Sequence, residues 1–112
     1  MTICEAGDVA IVPFPFTDIA VAKPRPALVL SARTMNGTSG HTVFAMITSA
    51  ARSHWPQDVA LADAVQAGLQ ATSLLRAKLF TLDNRLISRK IGQLSRRDRA
   101  AVRHMLRDLI AL

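Results

Sequence analysis

Lys23-Pro24-Arg25-Pro26-Ala27-Leu28-Val29-Leu30-Ser31 is the stretch on which the fold turns. A residue before proline is steered away from the helical region, so Pro24 and Pro26 hold Arg25 extended. The apolar run 27–30 follows directly and reads as a buried second strand with a rigid entrance. Upstream, Val9, Ile11 and Val12 form a short β-rich segment after Gly7-Asp8, and Pro13 and Pro15 stop it from continuing as a regular central strand. Downstream, Asn36-Gly37-Thr38-Ser39-Gly40 reads as a turn cluster, after which β-branched and aromatic residues over 42–48 start a third strand. A fourth strand is expected over 58–61 and a loop over 62–68. Leu74, Leu75, Leu79, Phe80 and Leu82 alternate imperfectly, which predicts a strand over 72–82 bent by a bulge, and 87–94 reads as another strand.

Closely spaced strands with short turns predict an antiparallel sheet that curls into a small barrel. The tail differs: Ser95 followed three residues later by Asp98 is a capping-box-like start, and Val102, Met105, Leu106 and Leu109 recur at helical spacing. The expected class is mainly β with a C-terminal α-helix. No repeat, linker or low-complexity tract divides the 112 residues, so residues 1–112 are expected to form one domain.

Fourteen Lys and Arg against eight Asp and Glu leave a formal charge of +6, which favours a polyanionic partner, although solubility alone explains charges of that size. The lone Cys4 forms no internal disulfide and suits a reducing cytoplasm. The N-terminus has no basic start followed by an apolar core, and no apolar run approaches bilayer length, so neither secretion nor a membrane span is expected. His41, His54 and His104 are scattered, so no metal site and no cofactor are expected.

Five blocks in order, GDVAIVPFPFTD, KPRPALVLS, TVFAMITSA, SLLRAKLFTLD and IGQLS with a terminal helix, resemble the MazF/PemK toxins from about Gly7 to Leu109. The resemblance implies a PemK-like barrel of SH3-like topology, a homodimer, and a cognate antitoxin that restrains it. It also implies cleavage of single-stranded RNA, messenger RNA included, at short motifs. The ribose 2′-hydroxyl attacks the neighbouring phosphate, leaving a cyclic phosphate and a 5′-hydroxyl, with translation and growth inhibited.

Such cleavage needs a proton acceptor, positive charge for the phosphorane-like transition state and a donor for the leaving oxygen, and it demands no metal. On its own, Arg25 is an exposed arginine at a strand entrance or a guanidinium fork for phosphate. The resemblance makes it the catalytic arginine, acting as an electrostatic stabiliser because an always-charged side chain is a poor base. Thr48 is ordinary at a strand end, and the resemblance gives its hydroxyl an orienting catalytic role, with Ser49 beside it as an RNA contact. Ser73 and Arg76 are candidate RNA contacts or outward residues on an edge strand. Asp18 is the nearest acidic candidate for RNA binding or a base, although loop aspartates commonly form turns. The apolar Ile19-Ala20-Val21-Ala22 departs from the family pattern, where a histidine or glutamate precedes the arginine block, and leaves the base unassigned.

Trp55 is a base-stacking platform or a cover for the core. Arg96, Arg97, Arg99, Arg103 and Arg107 give the last helix a basic surface for RNA or an acidic antitoxin segment, or simply a solvated face. Cys4 reads as a residue of a frayed terminus with nothing beside it to form a thiolate. Two other readings share the fold: a non-catalytic toxin that binds DNA gyrase, as the CcdB branch does, and a barrel that binds nucleic acid without cutting it.

Overall fold

Apolar residues at adjacent positions of a strand point to opposite faces, so a continuous apolar run is stable only where both faces are covered. A computed structural model, which describes residues 1–15, 23–51 and 54–112, shows that arrangement. Strands β1 (Asp8–Pro13), β2 (Pro24–Val29), β3 (His41–Ser49), β4 (Val59–Ala60), β5 (Ser73–Asp83) and β6 (Arg89–Gln93) form one sheet in the order β4-β5-β3-β2-β1-β6. Every pairing is antiparallel. Val9, Leu28, Ala45, Ile47 and Leu75 enter one core, where Val102 and Met105 of the terminal helix α2 (Arg96–Leu109) cover them. Their neighbours Ala10, Val12, Ala27, Val29 and Phe44 enter a second core with Phe14, Phe80 and Ile87.

The sheet curls into a half-barrel with the helix at its end, as the strand pattern predicts. Two register shifts help it bend: one between Val9 and Ala10 against β6, and one between Ala45 and Met46, where β5 carries the expected bulge. Beyond β4 the chain from Leu61 runs back toward β6, where Gln93 N–H donates to the Gln66 carbonyl at 3.3 Å. The approach is close enough that a Cβ on Gly68 would lie 2.2 Å from the Ile91 carbonyl oxygen, and one on Gly92 would lie 2.4 Å from the Ala67 carbonyl carbon. Gly68 also has φ +78°, a left-handed conformation. Gly68→Ala is therefore expected to cost about 2–5 kcal/mol, from left-handed strain and overpacking together. Urea unfolding measures this, and an unchanged midpoint would show that the loop does not hold the sheet's open side together.

The turn reading of 36–40 is corrected: Arg33–Ser39 is a helix, α1, and only Gly40, at φ +73°, acts as its terminator. The cause is tertiary. Asn36 is fully buried, its amide donates to the carbonyls of Cys4 (2.9 Å) and Ser31 (3.1 Å), and its side-chain oxygen accepts from the Ser31 hydroxyl. Those bonds remove the side chain from competition with the helical backbone. They also correct the view of Cys4, which is buried rather than frayed, and whose thiol pKa is raised by burial and by Asp8.

The predicted fourth strand contracts to Val59–Ala60, and the strand expected over 87–94 contracts to Arg89–Gln93 behind a 3-10 turn, Asn84–Leu86. At α2 the Ser95 hydroxyl accepts from Asp98 N–H, as the cap reading predicts. The buried Asp98 carboxylate instead accepts from Ala62 and Asp63 N–H, both at 2.8 Å, tying the loop to the helix. Among the helix arginines, Arg97 pairs with Asp63 at 2.7 Å, and Arg99 donates to the Ala6 carbonyl at 3.1 Å. Part of the basic helix thus fastens the domain. No described helix is long and apolar enough to cross a membrane.

Candidate active site

Where β2 begins, β3 ends and β5 begins, strand ends that are distant in sequence open onto one groove of about 620 Å³. Arg25, Thr48, Ser49, Ser73 and Arg76 all line it. Asp18 and the apolar stretch 19–22 lie outside the described residues.

Arg25 is the second residue of β2 and pairs in register with Val12 of β1. Its guanidinium carbon lies 5.9 Å from the centroid of the Phe14 ring. Phe14 is buried and meets Phe80 edge to face at 5.8 Å, and Phe80 stacks on Phe44 at 5.5 Å. An aromatic column rooted in the second core thus supports the arginine. Arg25 is half-buried, and no carboxylate among the described residues forms an ion pair with it. A fixed cation with an unfilled fork is suited to an incoming phosphate.

Thr48 and Ser49 pair across the sheet with Leu74 and Ser73. The Ser49 hydroxyl accepts from Ala51 N–H at 3.3 Å, and the buried Ser73 hydroxyl donates to the Ala71 carbonyl at 2.9 Å. Ser73 is therefore engaged in holding its own strand entrance. No hydrogen bond among the described residues engages the Thr48 hydroxyl, which lines the groove.

Arg76 is neither exposed nor on an edge strand: it is 5% exposed, on a strand paired on both sides. Its Nε donates to Asp58 Oδ1 at 3.1 Å and its Nη2 to Oδ2 at 2.8 Å, while the guanidinium carbon sits 4.8 Å from the Trp55 ring centroid. The guanidinium holds the Asp58 carboxyl below the usual carboxylate range, against the opposing effect of burial, and Asp58 raises the pKa of Arg76 in return. Trp55 thus covers an arginine rather than the apolar core.

Arg89 lines the groove as well and was not singled out from sequence. It pairs with Ile11, and Ile91, two residues on, lines the same wall. Period-two alternation over Arg89, Ile91 and Gln93 was the available signal. Three arginines, Arg25, Arg76 and Arg89, therefore line the groove, and among the described residues no aspartate, glutamate or histidine lines it. No group of three or more His, Cys, Asp or Glu side chains arranged to hold a metal is present among the described residues.

No curated protein matches the chain. Among solved structures, it is similar to MazF from Deinococcus radiodurans at 26% identity and a TM-score of 0.77, covering 100% of both chains. It is likewise similar to a chain of that organism's MazE–MazF complex at 26% identity and a TM-score of 0.78, covering 99% of both. An endoribonuclease from a mycobacterial species, solved with its cognate antitoxin, shares the fold with a TM-score of 0.77 at 17% identity, over 100% of this chain and 97% of that one. The PemK-like, MazF-like toxins of type II toxin–antitoxin systems match from residue 5 to residue 110, and by that match, nearly end to end, the chain belongs to this family.

Proposed function

We propose that the chain is an endoribonuclease toxin that cleaves single-stranded RNA, messenger RNA included, without a metal ion. The observation that carries the reading is Arg25, a half-buried guanidinium with no carboxylate partner among the described residues, sharing a groove with the Thr48 hydroxyl. The ribose 2′-oxygen attacks phosphorus, the bond from phosphorus to the 5′-oxygen breaks, and the products are a 2′,3′-cyclic phosphate and a 5′-hydroxyl. The proton of the attacking hydroxyl leaves to a base and one is delivered to the departing oxygen. Arg25 stabilises the charge that builds on the non-bridging oxygens, and Thr48 hydrogen-bonds to the phosphate or ribose to orient it. Guanidinium and hydroxyl groups on the groove wall are poor ligands for a divalent cation, which supports the metal-free reading.

The likeness to a MazE–MazF complex supports a cognate antitoxin as partner, and the remaining parts of the proposal rest on the resemblance to the family. A cognate antitoxin segment covers the groove, and the toxin is a homodimer in the cytoplasm.

The test is to incubate purified protein with long single-stranded RNA in EDTA and read the product ends. Cyclic-phosphate and 5′-hydroxyl ends are expected. Thr48→Val, which keeps the shape and removes the hydroxyl, is expected to lower kcat/KM about 10- to 100-fold. RNA left intact across substrates of varied sequence overturns the proposal in favour of a toxin that acts by binding.

A further inference from the structure

We propose that Trp55 is a base-stacking station at the Arg76 end of the groove, where a nucleobase of single-stranded RNA lies on the exposed indole. The proposal rests on the RNA reading above. Trp55 is 40% exposed although apolar cores lie on both faces of the sheet, and the partner it does have is the Arg76 guanidinium, 4.8 Å from its ring centroid. Arg76 lines the groove that holds Arg25 and Thr48, so the indole is linked to that groove through the guanidinium it contacts.

The turn that carries Trp55 is also held in place. Asp58 Oδ2 accepts from the backbone N–H of Trp55 at 2.8 Å, and Asp58 N–H donates to the Trp55 carbonyl at 3.0 Å, closing the turn through Pro56. The same carboxylate accepts from Nε and Nη2 of Arg76, so one anion fixes both the turn that carries Trp55 and the cation beside its ring. A preordered aromatic surface loses little freedom when a base stacks on it. Stacking tolerates any base because each has a π-face, so this station would add affinity to flanking sequence without reading it. The cleavage motif is then read elsewhere in the groove, and Trp55 lengthens the stretch of RNA that is held.

Trp55 is the sole tryptophan and there is no tyrosine, so intrinsic emission reports on this position alone. The experiment titrates the full-length protein with a short mixed-sequence 2′-fluoro RNA, which lacks the attacking hydroxyl and cannot be cut. Tryptophan emission and the anisotropy of a fluorescein-labelled copy of the same RNA are followed. Quenching is expected with the same midpoint as the anisotropy change. Trp55→Ala should weaken binding about 5- to 150-fold, the range a single base–aromatic stack spans. Trp55→Phe, which keeps a ring, should bind within a few fold of wild type. Binding by anisotropy with no quenching, together with Trp55→Ala binding as tightly as wild type, overturns the stacking role and leaves the ribonuclease reading intact. A Trp55→Ala defect that appears in oligomeric state rather than RNA affinity also overturns it, assigning the indole to a protein interface. Failure of wild type to bind any single-stranded RNA overturns both proposals.

Discussion

Arg25→Ala is expected to slow single-turnover cleavage at saturating RNA by roughly 100- to 1000-fold, the scale on which loss of one donor to a developing oxyanion is felt. The fold should survive the change. Arg25 is half-buried at a strand end, its backbone is constrained by Pro24 and Pro26, and among the described residues its guanidinium meets the Phe14 ring at 5.9 Å. A contact of that kind contributes about 0.5–1 kcal/mol, so the melting temperature should move by only a few degrees. Arg25→Lys separates charge from geometry. Lysine keeps the positive charge but lacks the planar fork that grips two phosphate oxygens, so an intermediate rate is expected. Circular dichroism beside the kinetics shows whether the proteins are folded. A rate for Arg25→Ala within threefold of wild type would remove Arg25 from the chemistry.

The place of that arginine at a strand entrance was legible because its signal is local: two prolines fix its backbone, and the run 27–30 fixes the strand that carries it. The same holds for the Ser95 cap and the bulged strand Ser73–Asp83, where period and capping chemistry lie within a few residues of one another. What escaped is long-range. Composition over 36–40 says turn, yet Asn36 is helical because it bonds to Cys4, 32 residues away. Arg76 reads as a surface side chain until Asp58, 18 residues upstream, is seen to neutralise it. Spacing in sequence carries no information about such a pair, since it depends on β4 and β5 lying side by side. Arg89 belongs to the same class: only the pairing of β6 with β1 brings it to the wall of Arg25's groove.

Asp58→Ala is expected to be the most destabilising of these changes, at about 3–5 kcal/mol, because it leaves a buried guanidinium with no counter-charge. Arg76 and Asp58 expose only 7% and 4% of their side chains, so solvent does little to screen the pair or to rescue the survivor. Adding Arg76→Met should recover much of the loss, since a buried ion pair replaced by apolar volume is commonly near neutral, and the double-mutant cycle gives the coupling directly. The pair also sets a pH dependence. The Asp58 carboxyl is held below its ordinary value, chiefly by hydrogen bonds from Arg76, so in acid the unfolded chain takes up its proton before the folded one does. The stability it contributes is present above the unfolded carboxyl pKa, near 3.9, and is lost as pH falls through the lower folded value. Urea midpoints for wild type should therefore fall across that acid range, and the Asp58→Ala/Arg76→Met protein should show a shallower fall. A cost for Asp58→Ala below about 1 kcal/mol would mean that water reaches the pair and that Arg76 is not held by charge. The double variant also separates stability from function. If it regains stability but binds single-stranded RNA more weakly than wild type, the guanidinium beneath Trp55 contributes to the groove beyond its part in the fold.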